Sequence, residues 1–158
     1  MARLPDHFDL WIRKARESFD PARQAEYVLG ALSALDYWYF LGNNSKENPQ
    51  PSEVEIENHW YKLVFSDSAR MADLAPTGTP LPVIAIPTPK AMVWCLERKA
   101  EGSAGLLVNP GDFAALIPLS QLEAFHSEWI HRGGRQASGF WIPNMTSAEE
   151  DFWQQHGL

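Results

Sequence analysis

Cysteine is almost missing from this chain. Cys95 is the single one among 158 residues, so no internal disulfide can form and nothing in the sequence asks for an oxidising compartment. Long apolar runs are missing too: no stretch of about eighteen such residues could span a bilayer. Residues 1–10 carry Asp6 and Asp9 where a signal peptide would have its apolar segment. A cytoplasmic protein with no membrane partner is the expectation.

Positive charge is scarce. Thirteen Lys and Arg stand against twenty Asp and Glu, a formal net charge of -7, which repels a phosphate backbone unless the cations are gathered. Arg13, Lys14, Arg16 and Arg23 make one modest group, but Glu17 and Glu26 are interleaved with them, as on solvated helix faces. No nucleic-acid partner is expected. The common catalytic signatures are also absent: no Gly-x-Gly-x-x-Gly, Walker-type loop, Gly-x-Ser-x-Gly elbow or His-Glu-x-x-His occurs. Gly102-Ser103-Ala104-Gly105 precedes an apolar, strand-like run and so has the wrong context for holding a phosphate.

What is present is ordinary globular composition, 45% hydrophobic and 21% charged, in a length that can bury a core without metal or disulfide. One domain over residues 1–158 is expected, with its core at about 20–132 and residues 133–158 as a tail docking on that core or on a partner. Seven tryptophans are spread along the chain. Their bulk predicts core positions for most and a margin or interface for one or two.

Residues 6–18 read as a peripheral helix. Asp20-Pro21 then supplies a cap and a first-turn proline, and Ala25, Val28, Leu29, Leu32 and Leu35 recur at helical spacing. The aromatic run 37–41 reads as a buried strand, and residues 53–57 alternate acids with Val54 and Ile56, an outer strand with three carboxylates on one face. Residues 59–65 read as a more central strand, followed by a short helix over 69–75 capped by Ser66 or Asp67. Further strands are predicted at 83–86, 106–108 and 113–117, the last two joined by Asn109-Pro110-Gly111-Asp112 as a hairpin turn. Helices are predicted from Thr88-Pro89 to Lys99, from a Ser120/Glu123 capping box to Gly133-Gly134, and from a second box at Thr146/Glu149 into an aromatic tail. Alternating helices and strands make an α/β fold, in the α+β sense.

The helix ending Leu32-Ser33-Ala34-Leu35 before an aromatic strand, Leu63-Val64-Phe65-Ser66-Asp67, the helix from Pro89, and the run Gly105-Leu106-Leu107-Val108-Asn109-Pro110-Gly111 occur in that order. In these segments, over about residues 22–122, the chain resembles the SseB N-terminal domain family of small bacterial α/β domains. The resemblance implies a single mixed β-sheet with helices packed on it, and association with other proteins in place of catalysis. It implies no catalytic residues. The family's frequent second C-terminal domain has no counterpart in the short tail here.

Cys95 falls mid-helix beside Trp94 and Leu96 and reads as a small hydrophobe. None of the five histidines has zinc-motif spacing. Glu53, Glu55, Glu57 and His59 share a strand parity, which a metal could use, but acids on an outer strand more simply discourage edge association. No metal or cofactor is expected. The leading expectation is a non-enzymatic protein-binding or regulatory module, contacting a protein partner or a second copy through Trp141, Phe152 and Trp153 within a rim of Glu53, Glu55 and Glu57. The alternative is a small-ligand binder or hydrolase with a pocket at the strand ends around Ser66, Asp67, Asp112 and His126. A third, resting on acidity and size alone, is an immunity-type inhibitor of a basic toxin.

Overall fold

The computed structural model of the chain describes residues 7–18, 20–42, 52–67, 83–97, 102–110, 114–134 and 141–156. Helix α1 (His7–Arg16) puts Ile12, at 1% exposure, and Ala15 into the main core. The sequence reads this helix as peripheral, so the core's boundary moves back from residue 20. Helix α2 (Pro21–Ser33) begins as its cap chemistry requires. Asp20 is extended, its Oδ1 accepts the Ala22 N–H at 3.0 Å, and Pro21 fills the first helical position, where no amide donor is needed. Ala25, Val28, Leu29 and Leu32 are all buried, as their spacing predicts.

Six strands follow: β1 (Tyr37–Leu41), β2 (Glu53–Ile56), β3 (His59–Phe65), β4 (Val83–Pro87), β5 (Ser103–Val108) and β6 (Ala115–Pro118). They form one mixed sheet in the order β4-β1-β3-β5-β6, with β2 also on β3. Only β3 and β5 pair in parallel; the other pairings are antiparallel. β1 and β2 share one edge of β3 end to end, β1 opposite Val64 and Phe65 and β2 opposite residues 59–62. The Ser52 N–H donates to the Leu41 carbonyl at 2.6 Å where the two strands meet.

Helices α3 (Thr88–Glu97), α4 (Leu119–His131) and α5 (Ser147–His156) complete the described elements. Gly133 and Gly134 end α4 with positive φ. The predicted Ser120/Glu123 box does not open it. β6 runs straight into the helix through extended Pro118, and the first turn buries Leu119 with no side-chain cap. The Thr146/Glu149 box does form: the Thr146 N–H donates to Glu149 Oε1 at 2.8 Å, and the Glu149 N–H to Thr146 Oγ1 at 3.2 Å. The helix predicted over residues 69–75 lies outside the described residues.

Strand pleat sorts the side chains into two faces. Trp38, Phe40, Val64, Leu106, Val108 and Ile117 point to one face, where they join residues of α1 to α4 in the main core. Tyr39, Leu41, Leu63 and Phe65 point to the other and form a separate small cluster. The described elements make an α+β fold with its main core on the side of the described helices.

Candidate functional site

No described helix contributes to the cluster on the second sheet face. Cross-strand register assembles that face from Tyr37, Tyr39 and Leu41 on β1, Leu63 and Phe65 on β3, Val83 and Ala85 on β4, Leu107 on β5 and Leu116 on β6. Leu41 and Phe65 at its centre are buried, and Tyr39, Leu63 and Leu107 are half-buried. Tyr37, Val83 and Leu116 toward its margins are 46%, 52% and 43% exposed. Apolar side chains spread along three strands at such exposure are the pattern of a contact surface.

The predicted acid rim divides. Glu53 and Glu55 share a face of β2, as alternation requires. Glu57 does not: Glu57 (φ 51) and Asn58 (φ 68) are the two left-handed residues of a tight β2–β3 turn, which takes Glu57 out of the strand. Glu53 is exposed and also serves the fold. Its Oε1 accepts from Lys62 Nζ at 2.8 Å, and Lys62 is 1% exposed. A buried ammonium needs that carboxylate, so Glu53 is fixed by the fold. Glu55 stands opposite Trp60, which is exposed, on the helical side of the sheet beyond the main core. The acids therefore lie on the opposite face from the apolar surface.

Trp141 and Phe152 of the tail turn inward. Trp141 packs against the main core with its ring 5.7 Å from that of Phe125, and Arg132 lies over it at 5.3 Å. Phe152 is half-buried on the same core, with Lys14 Nζ 5.2 Å from its ring centre. The side chain of Trp153 is outside the described residues. What clamps the tail is a polar knot that the sequence reading missed. Glu149 accepts from Arg23 Nη2 at 2.6 Å and from the Tyr27 hydroxyl, while Arg23 also donates to the carbonyls of Pro143 and Asn144. Burial pushes the Glu149 carboxyl up, but hydrogen bonds from Tyr27, Thr146 and Arg23 outweigh it and hold the group below its ordinary range. Burial and that carboxylate push the Tyr27 hydroxyl well up.

Of the residues predicted for a pocket at the strand ends, Ser66, Asp67 and His126 are described. Ser66 follows β3 directly; its N–H donates to Asn109 Oδ1 at 2.9 Å and its Oγ accepts from Asn109 Nδ2 at 3.0 Å. Both residues are buried, and Asn109 adopts φ 48. Asn109, read only as a turn residue, is the clasp between the parallel strands β3 and β5; its tolerance of left-handed backbone was the available clue. Asp67 follows on the same strand end, half-buried. Asp112 lies outside the described residues. His126 sits on α4, half-buried, and burial pushes it below its ordinary value. Its Nε2 and the Nε1 of Trp129 are buried with no hydrogen-bond partner among the described residues.

Cys95 is fully buried. Among the described residues no three His, Cys, Asp or Glu side chains are grouped to hold a metal ion, and no helix is long and apolar enough to cross a membrane. Comparison with known proteins finds no matching family model, no matching curated protein and no matching solved structure.

Proposed function

We propose that the chain is a non-enzymatic protein-binding module whose contact surface is the sheet face that no described helix covers. The observation that carries the reading is the exposure of Tyr37, Val83 and Leu116 around a half-buried patch of Tyr39, Leu63 and Leu107. An apolar patch of this kind gains by being covered, and the burial of its central residues gives it a rigid floor. The resemblance to SseB N-terminal domains points the same way. So does the commitment of the Ser66 hydroxyl to Asn109, which leaves that group serving the fold. Trp141 and Phe152 contribute on this reading by fixing the tail, and a partner meets their edges at most.

The test is a Val83→Asp, Leu116→Asp double variant. Both side chains are exposed, so the fold should tolerate the change within about 0.5 kcal/mol each. Sedimentation and affinity capture from the native host should show the wild-type chain self-associated or holding a defined partner, and the variant holding neither. A variant that keeps the wild-type sedimentation and the same captured partner would refute the assignment.

A further inference from the structure

Helix α3 is apolar all the way round. Its run from Ala91 to Leu96 is uninterrupted by any charge, and successive residues turn by about 100° each, so apolar groups reach every side. Ala91, Met92 and Cys95 turn into the main core. The outer side carries Val93, 42% exposed, and half-buried Trp94, whose ring stands edge-on to that of Phe40 at 5.0 Å. A helix of this composition is ordinarily covered on both sides. This one has an open groove of about 490 Å³ along its outer side, lined by Ile86, Pro89, Lys90, Val93, Trp94 and Glu97.

Charge identifies the occupant. Lys90 and Glu97 are the only charged residues of α3, and both stand in this groove, exposed. Among the described residues neither takes part in an ion pair. They lie on one helix face two turns apart, on the order of 10 Å, which is too far for them to pair with each other. The midpoint between them falls between Val93 and Trp94.

A two-fold axis through that midpoint reverses the helix direction and exchanges its ends. Lys90 of one copy then faces Glu97 of the other, twice, with Val93 and Trp94 of both copies between the two pairs. A copy running in the same direction would set like charge against like at both ends. The groove's own charges cancel in a chain of net charge -7, so two copies can meet here without bringing acids together. An apolar middle flanked by an acid and a base in reversed order is what the groove's charges match, and the chain itself supplies it.

We infer that two copies of the chain associate by antiparallel pairing of their α3 helices across a two-fold axis between Val93 and Trp94. The apolar centres hold the contact, and the two Lys90–Glu97 pairs set its direction and register. Two helical turns a side make a small interface, under about 1,200 Å² of buried surface. The dimer therefore forms at high protein concentration, above that of a capture experiment, and dissociates on dilution. It uses none of Tyr37, Val83 or Leu116 and so stands apart from the contact proposed for the sheet face.

The test is sedimentation equilibrium of the full chain from about 10 μM to 1 mM, over which the wild type should pass from monomer to dimer. Lys90→Glu and Glu97→Lys each set like charges together at both ends, and each should weaken the dimer about tenfold or more. An equimolar mixture of those two variants should form a heterodimer, and the double reversal Lys90→Glu, Glu97→Lys should restore self-association, results that a misfolded variant could not give. Val83→Asp, Leu116→Asp, on the other sheet face, should leave the dimer in place. A wild type monomeric at the highest concentration, single reversals that self-associate as the wild type does, a mixture without heterodimer, or a dimer lost only in the sheet-face variant would each overturn the inference.

Discussion

Replacing Glu149 by alanine tests whether the polar knot holds the C-terminal helix to the rest of the chain. The carboxylate serves three donors: the Tyr27 hydroxyl, Arg23 Nη2 and the Thr146 N–H. A hydrogen bond to a charged group contributes about 1.5–3 kcal/mol, and removing one partner of a buried ion pair costs about 3–5 kcal/mol. The lower end applies here. The Arg23 side chain is 19% exposed and keeps the carbonyls of Pro143 and Asn144, so water and backbone recover part of the loss. A loss of about 3 kcal/mol lowers the melting temperature by roughly 6–12 °C for a chain of this length.

The pH dependence gives a second reading of the same group. Glu149 is held below its ordinary value in the folded state, so the unfolded chain takes up its proton first. Its stabilisation is complete above the unfolded value and fades as pH falls through the folded one. Melting curves of wild type and Glu149→Ala by circular dichroism should therefore differ at neutral pH and converge in acid. A neutral-pH difference under about 2 °C would show that the knot contributes less than a kcal/mol and that the apolar packing of Trp141 and Phe152 holds the tail alone.

Three other outcomes follow from the geometry. Gly105→Ala places a methyl group against the Ile117 carbonyl, and since neither backbone can yield cheaply, denaturant unfolding should show a loss of about 3 kcal/mol with amide shifts along β6. Asn109→Ala should cost more than Asn109→Gly, by about 1 kcal/mol, because both lose the clasp to Ser66 but only alanine is strained at positive φ. His126 stays neutral in the fold to lower pH than in the unfolded chain; stability should drop as pH falls below about 6.5, and His126→Phe should flatten that limb, with equal slopes counting against it.

The strands and their alternation were legible because side-chain period and turn chemistry act locally. Tyr37–Leu41 and His59–Phe65 appear as the apolar patterns mark them, and Asp20-Pro21 and Thr146/Glu149 start helices because a cap needs only residues within one turn. What stayed hidden depends on pairing across long sequence separations. The burial of Lys62 depends on β2 placing Glu53 opposite it, and Glu149 reads only as a cap until Arg23 and Tyr27 arrive from the second helix. The assignment of Glu57 to a strand face failed because its turn lacks the glycine that usually announces left-handed backbone. The apolar second face was invisible for a related reason: alternation shows that a strand has two sides, and only packing shows that the described helices all take one of them.

The junction at Leu41 and Ser52 has a practical corollary. Where one strand stops along β3 the next takes over, and their ends are already joined by a hydrogen bond. β1 and β2 thus behave as one ribbon laid along β3, so a disturbance at this junction reaches both neighbouring ladders together.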